Sequence, residues 1–543
     1  MSEDASLQTT IAELNAGRLS RRQVLGWAAR LGLSAPMAAA ISGAVSRGAG
    51  AVSLQAGGKT LVVAIAEETL NLDPALAGAD GYGDIIPMAG NLTEGLTRFK
   101  VGTIDVEPAL AASWDVSSDG LTYVFHIRPN VTFQDGTPLD AKAVEFNFQR
   151  QIDPKNPYHY PGITYAEIVF ADVASIAATG PMDLTIKLQR PIVMLLGNLA
   201  IFAAGIISPT ALQKYGKDFS THAVGTGPFK LDHWTKGVEL VYTAYDKYWG
   251  GRPPLDRVVW QTIADDTVRL TALKTGQIDV ANQIDFKDVK SVKNNPSLQA
   301  ISGNFLNTQF VAFNEKLPPF DSLPVRQAVQ HAINKKNIAQ AVFYGNYTRG
   351  AGPIAPGLLG YDPALADAYP YDPAKAKALL KQAHPATTTF DLYNRTNSFW
   401  PLIGQLIQSD LSEIGLKANL KALEDADFFA QLNAGKAPAF INDWTWDNGD
   451  PDNIMYSLFT APRAVSRMSY KNAQVNDLNV QAQTEHDPAK RAQLYDQAQQ
   501  LIMQDAIMVV LGYPGRVIGA KSSVENLKVD PTGSMVLREV NVK

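Results

Sequence analysis

The chain has no cysteine among its 543 residues, and this absence excludes disulfides, thiolate chemistry and a lipid anchor attached through cysteine. Such a composition suits a protein that is exported already folded, although a cysteine-free cytosolic protein is equally compatible with it. Net charge is also low, because 48 Lys and Arg oppose 53 Asp and Glu. A nucleic-acid-binding protein needs a basic face, so we expect no nucleic-acid partner.

Long apolar runs are missing too, since no stretch beyond residue 55 reaches the roughly 20 continuous apolar residues of a membrane span. The chain lacks the motifs G-x-S-x-G, H-E-x-x-H and G-x-x-x-x-G-K-[ST] of common enzyme classes. Its seven histidines are scattered along the sequence and form no metal-site pattern. We therefore predict no catalytic residues, no cofactor and no metal. Carboxylates are plentiful, which leaves a glycosidase pair open.

The N-terminus contains a pair of arginines, Arg21 and Arg22, ahead of a weakly apolar stretch at residues 26–40. This order is typical of a twin-arginine export signal, and the small residues that follow offer cleavage sites. An amphipathic N-terminal helix is the alternative. We predict that residues 1–58 are an export signal and linker, and that the mature protein is soluble and periplasmic.

The remainder of the chain alternates between strand-like and helix-like patterns. Residues 60–66 form a β-branched run typical of a buried strand, and residues 121–127 alternate with period two. Residues 399–414 indicate a helix, whereas residues 526–542 alternate like a closing strand. A chain of this length exceeds the ~250–300 residues of a single core, so we predict several α/β lobes.

Seven sequence elements follow one another in the order and spacing of a known family. They are residues 71–75 (NLDPA), 91–96 (NLTEGL), 107–114 with 119–125, 131–136 (VTFQDG), 225–229 with 248–251, 275–279 (TGQID) and 325–328 (VRQA). With these elements the chain resembles the bacterial extracellular solute-binding proteins of family 5, the peptide/nickel importer type. An eighth element, the loop at residues 442–452, is discussed below.

The resemblance implies an α/β protein with the bilobal periplasmic-binding-protein (Venus-flytrap) fold and an extra third lobe. The implied lobes are lobe I at residues 59–94, 222–305 and 514–543, lobe II at 95–221 and lobe III at 306–513. It also implies that the protein is no enzyme but the substrate-binding component of an ABC importer. We expect a monomer that delivers its ligand to the permease subunits in the inner membrane.

The loop at residues 442–452 resembles the family element W-x-x-D-x-x-x-P, whose aspartate binds the free α-ammonium of peptide ligands. The match falls on Asp447. A carboxylate in a water-excluded cleft makes a charge-assisted bond about twice as strong as a neutral one, whereas the alternative for Asp447 is a solvated turn. Trp444 and Trp446 would project to the same side of an extended segment, and we expect one of them to lie in the core.

Four further residues complete the predicted ligand-binding set. Glu68 aligns with an acidic residue that lines the family's cleft from lobe I, and a surface charge is the alternative. Tyr393, Arg395 and Trp400 lie where dipeptide-specific members place arginines that hold the ligand carboxylate. Only Arg395 is basic here, which argues against a dipeptide-type clamp, and a helical core position is the alternative for Trp400.

The acidic anchor at Asp447 favours a peptide or a peptide-like solute as the ligand. Sugar binders depend instead on stacked aromatic rings and neutral polar groups. An oligosaccharide, an opine or a nickel chelate in the same importer class is the alternative, and a secreted hydrolase is a more distant one.

Overall fold

The computed structural model of the protein describes residues 58–77, 83–163, 165–303, 305–396, 399–460 and 464–543. The arginine pair and the apolar stretch of the predicted export signal therefore lie outside the described residues. No helix within the described ranges is long and apolar enough to cross a membrane.

The strands of the described residues are numbered in chain order. They are β1 Thr60–Ile65, β2 Thr97–Phe99, β3 Val106–Pro108, β4 Ala111–Val116, β5 Thr122–Ile127, β6 Val173–Ala178, β7 Asp183–Leu188, β8 Phe229–Thr235, β9 Glu239–Ala244, β10 Arg257–Thr262, β11 Val280–Ala281, β12 Leu298–Gly303, β13 Asn307–Phe313, β14 Tyr347–Arg349, β15 Thr389–Arg395, β16 Lys417–Leu423, β17 Ala439–Thr445, β18 Met508–Pro514, β19 Arg516–Lys521, β20 Val524–Glu525 and β21 Asn541–Val542.

The α-helices are numbered in the same way. They are α1 Ile85–Met88, α2 Ala141–Ile152, α3 Ala166–Val169, α4 Leu195–Asn198, α5 Pro209–Tyr215, α6 Asp266–Thr275, α7 Val289–Lys293, α8 Leu323–Ala332, α9 Lys335–Ala341, α10 Pro373–Ala383, α11 Trp400–Glu413, α12 Asp425–Asn433, α13 Asp452–Phe459, α14 Ala473–Thr484 and α15 Pro488–Gln504.

A seven-stranded sheet has the order β12-β19-β11-β1-β10-β9-β8. Strand β1 pairs in parallel with β10 and β11, and its apolar residues Leu61, Val63 and Ile65 are buried, as the β-branched run predicted. The strands come from three separate parts of the sequence, so the chain leaves this sheet and returns to it twice.

A six-stranded sheet has the order β14-β18-β13-β17-β15-β16, and every residue of its inner strand β13 is buried. Side chains alternate between the two faces of a strand. Accordingly, Phe310 packs into one apolar cluster and Val311 packs into another. Helices therefore cover this sheet on both faces, with α13 to α15 on one face and α8 and α11 on the other.

A four-stranded antiparallel sheet has the order β4-β5-β7-β6 and packs against helix α2. Asp140 caps this helix by accepting a hydrogen bond from the amide of Ala143, as expected for an N-cap aspartate. Near its end, Arg150 donates to both carboxylate oxygens of Asp73 at 2.8 and 2.5 Å, and both side chains are buried. This ion pair ties α2 to the segment that follows β1.

The C-terminal segment differs from the predicted strand, because only β20 and β21 pair there. Between them the chain lies along the apolar core, and Leu527, Val529, Met535 and Leu537 are buried. The strands of each sheet come from residues assigned above to one lobe, apart from Pro514 at the end of β18. The lobe boundaries themselves stay a prediction.

Candidate ligand-binding cleft

The loop that follows β17 positions Asp447. Its preceding residue Trp446 is fully buried, and the Trp446 amide donates to the carbonyl of Leu306 at 3.0 Å. On the other side, the buried Asn448 side chain accepts from the amide of Asp450 at 3.1 Å. The Asp450 carboxylate in turn binds Arg491 through two hydrogen bonds of 2.7 Å. The backbone on both sides of Asp447 is therefore fixed.

Asp447 lines a cleft whose other walls come from distant parts of the chain. Its empty space is about 710 Å³ including the opening to solvent. The other walls are formed within residues 85–99, 200–205 and 530–538.

An aromatic pair adjoins Asp447. The hydroxyl of Tyr165 donates to Asp447 Oδ2 at 3.4 Å, and the Tyr165 ring packs edge-to-face on Phe202, with 4.7 Å between ring centroids. Phe202 itself lines the cleft. The carboxylate thus has an aromatic surface beside it that can exclude water from a bound cation.

The cleft is also lined by a group of charged side chains that the sequence reasoning did not select. Glu94 is buried and accepts from the Tyr248 hydroxyl at 2.7 Å and the Trp249 indole at 2.8 Å. Burial raises the pKa of Glu94. Two arginines, Arg98 and Arg538, line the cleft beside it. Glu94 and Arg98 lie in or next to the family-like element at residues 91–96, whereas no motif points to Arg538.

Arg395 is engaged within the six-stranded sheet. Its guanidinium forms an ion pair with Asp443 on β17 and lies over the ring of Trp400, 4.3 Å from the centroid. Asp443 also accepts from the Asn307 amide at 2.7 Å. Tyr393, two residues earlier on β15, is half-buried against the apolar cluster. None of Tyr393, Arg395 and Trp400 lines the cleft that contains Asp447, and their contact with ligand stays a prediction.

The tryptophans differ in exposure. Trp446 is 0% exposed and Trp400 is 3% exposed, so both are core residues here and present almost no surface to a ligand. Trp444 is half-buried against the same core as Trp446, and its indole donates to Asn453 Oδ1 at 2.5 Å. Glu68 is exposed in a separate hollow beside Trp234, not in the cleft with Asp447.

Besides the bond from Tyr165 to Asp447, two contacts join the part with the four-stranded sheet to the part that carries Asp447. The amide of Asn448 donates to Asn198 Oδ1 at 2.8 Å, and this contact is buried. Nearby, the Val193 amide donates to the carbonyl of Gln483 at 3.0 Å. Because Asn448 directly follows Asp447, this buried amide pair holds the two sides together next to the cleft.

The protein has relatives over most of its length. It is 34% identical to heme-binding protein A of Haemophilus influenzae, over 76% of this chain and 79% of the relative. It is 30% identical to the dipeptide-binding protein of Escherichia coli, over 91% of this chain and 96% of the relative.

A solved structure shares the fold. This is the ABC transporter-associated periplasmic binding protein DppA of Helicobacter pylori in complex with the peptide STSA. It is 30% identical, with a TM-score of 0.78 over 89% of this chain and 98% of that one. This likeness confirms the predicted α/β bilobal periplasmic-binding-protein fold with an extra lobe. Residues 105–466 match the family "Bacterial extracellular solute-binding proteins, family 5 Middle". Taken with the two relatives, this match shows that the chain belongs to the bacterial extracellular solute-binding proteins of family 5, as its sequence elements predicted.

Proposed function

We propose that this protein captures a peptide or peptide-like solute in the cleft lined by Asp447 and delivers it to the permease of an ABC importer. The observation that carries the proposal is the carboxylate of Asp447, fixed on a rigid loop at the wall of a cleft that distant parts of the chain form together. The peptide complex of the Helicobacter pylori relative and the name of the Escherichia coli relative support the same ligand class.

The chemistry of the anchor is a charge-assisted hydrogen bond to the α-ammonium of the ligand. Such bonds strengthen where water is excluded, and the rings of Tyr165 and Phe202 supply that exclusion. The Tyr165 hydroxyl holds Oδ2 of Asp447, which restricts the carboxylate before the ligand arrives and lowers the entropy cost of binding.

The cleft binds its ligand without transforming it. Asp447 is suited to hold a cation, and the neighbouring Glu94 already accepts hydrogen bonds from Thr226, Tyr248 and Trp249, so we assign neither carboxylate a catalytic role. The proposal also includes export to the periplasm through residues 1–58 and action as a monomer.

The test is a titration of wild type and Asp447→Asn with one peptide in two forms, with its amine free or acetylated. To choose the peptide, the protein is dialysed against a mixture of di- and tripeptides. Native mass spectrometry then identifies the peptide that the protein retains most strongly. Losing one partner of a desolvated charge pair costs ~2–5 kcal/mol, so the variant should bind the free-amine peptide about 30- to 5,000-fold more weakly.

Acetylation of the peptide amine should weaken its binding to wild type by a similar factor. It should change the affinity of Asp447→Asn only slightly. Asp246→Asn, at a carboxylate that is 79% exposed, is the control and should bind like wild type. Equal affinity of wild type and Asp447→Asn for the free-amine peptide would remove Asp447 from the site and favour a neutral ligand such as an oligosaccharide.

A further inference from the structure

Arg538 belongs to the C-terminal segment that returns along the cleft. Its side chain is 11% exposed, and it lines the same cleft as Asp447. Asn91 fixes this segment, because its amide donates to the carbonyl of Met535 at 2.7 Å and its oxygen accepts from the amide of Leu537 at 2.9 Å. Arg538 is thus presented to the cleft from a rigid backbone.

The guanidinium of Arg538 has no hydrogen-bond acceptor among the described residues. The carboxylate oxygens nearest to it are Glu107 Oε1, 3.7 Å from Nη2, and Glu539 Oε1, 3.6 Å from Nε. Both distances exceed those of hydrogen bonds. Other buried arginines differ, since Arg150 and Arg491 each bind a carboxylate through two hydrogen bonds of 2.5–2.8 Å.

Of the carboxylates around Arg538, two are already bound by other donors and the third is open to solvent. Glu107 Oε1 accepts from Arg98 Nε at 2.8 Å, Glu94 is bound by Tyr248 and Trp249, and Glu539 is more than half exposed. A guanidinium carries five N–H donors and stays charged in proteins, and no nitrogen of Arg538 is among the buried side-chain atoms that lack a partner, so its donors without a bond are open to the cleft. This wall of the cleft therefore offers unused donors and positive charge to a ligand.

We propose that Arg538 binds a carboxylate of the ligand, so that the cleft takes a zwitterionic solute such as a short peptide with a free α-carboxylate. The assignment rests on the proposed function, in which Asp447 holds the ammonium end. The arginine that precedes α11, Arg395, is already paired with Asp443. The planar fork of arginine suits two-point binding of a carboxylate.

The experiment uses the full-length protein and the peptide selected by dialysis, prepared with its carboxylate free or amidated and with its amine free or acetylated. Isothermal titration is performed on wild type, Asp447→Asn and Arg538→Gln, with Arg349→Gln at an exposed arginine as the control. Melting temperatures verify folding of each variant.

We expect amidation to weaken binding to wild type by about 30-fold or more. The Arg538→Gln variant should bind the free-carboxylate peptide more weakly than wild type by a similar factor. Amidation of the peptide should then reduce the affinity of this variant only slightly further. Acetylation of the amine should still weaken binding to Arg538→Gln, because Asp447 is intact in that variant.

Each failure has a separate signature. Equal binding of amidated and free peptide by wild type would overturn the assignment of Arg538, and this comparison needs no variant to fold. Equal affinity of wild type and Arg538→Gln for the free peptide would overturn it as well. Insensitivity to acetylation alone would remove Asp447 and leave Arg538 standing, whereas retention of no peptide at all would overturn the proposed function and this assignment with it.

Discussion

Replacing Asp73 with asparagine should lower the free energy of unfolding by about 3–5 kcal/mol, because it leaves Arg150 charged and buried without its counterion. Arg150 is 0% and Asp73 is 2% exposed, so water cannot take over the lost interaction. Asparagine keeps one acceptor oxygen for the first guanidinium nitrogen of Arg150. Its NH₂ group faces the second guanidinium nitrogen, so two donors meet where a hydrogen bond existed before.

The geometry adds to this cost. Within the described residues, Nε of Arg150 is buried and has no partner, so the two bonds to Asp73, at 2.8 and 2.5 Å, are the ones that satisfy its side chain. They also connect α2 to the segment after β1. The loss should therefore far exceed the ~0–1 kcal/mol of an exposed ion pair.

Equilibrium urea unfolding, followed by tryptophan fluorescence, measures the difference. The control is Asp367→Asn, which removes the partner of Arg349 where both side chains are more than half exposed, and it should cost less than about 1 kcal/mol. The double variant Asp73→Leu/Arg150→Met should recover much of the loss, since apolar side chains replace buried charges well. A cost below about 1 kcal/mol for Asp73→Asn would refute the reasoning.

Two further predictions concern the loop after Asp447. Burial raises the pKa of Asp452 from 3.8 to about 8, so the folded state holds a proton that the unfolded state releases, and stability falls as pH rises from about 4 through 8. Asp452→Asn should flatten this part of the curve of melting temperature against pH, and an unchanged slope would contradict the assignment. Asn448→Ala removes the donor to the buried Oδ1 of Asn198, which costs ~1–3 kcal/mol. It should weaken peptide binding by about 5- to 150-fold in a titration, and unchanged affinity would show that the amide pair does not support the bound state.

Local features of the fold could be predicted because their causes are local. Asp372 and Asp487 precede a proline at the first helical position, and both cap a helix with their side chains. The helix predicted at residues 399–414 is observed at Trp400–Glu413. Neighbouring residues alone decide caps and helical periodicity.

The C-terminal segment shows where this reasoning fails. Alternation at residues 526–542 indicated a strand, and alternate residues there are indeed buried. However, Met535 and Leu537 bond through their backbone to the side chain of Asn91, and the segment packs on the core instead of joining a sheet. Alternation reports an extended backbone with one buried face, and it does not reveal whether a partner strand is available.

The candidate cleft was only partly predictable for the same reason. Asp447 was found through a motif within one loop. The partner of Arg395 is Asp443, which lies 48 residues away in sequence and on another strand. Arg538 reaches the cleft from the far end of the chain. Such pairs depend on tertiary placement, which leaves no local pattern in the sequence.

Strand order also has a consequence for how the protein is made. Strand β19 lies inside the seven-stranded sheet, between β12 and β11, yet it is synthesised only when residues 516–521 of 543 emerge. Until then β11 and β12 expose unpaired backbone groups, which are templates for aggregation. Pairings between residues so distant in sequence also form slowly. The sheet is therefore completed only after residues 516–521 have been synthesised, long after β11 and β12, and the nascent chain needs protection in the interval, such as a chaperone provides.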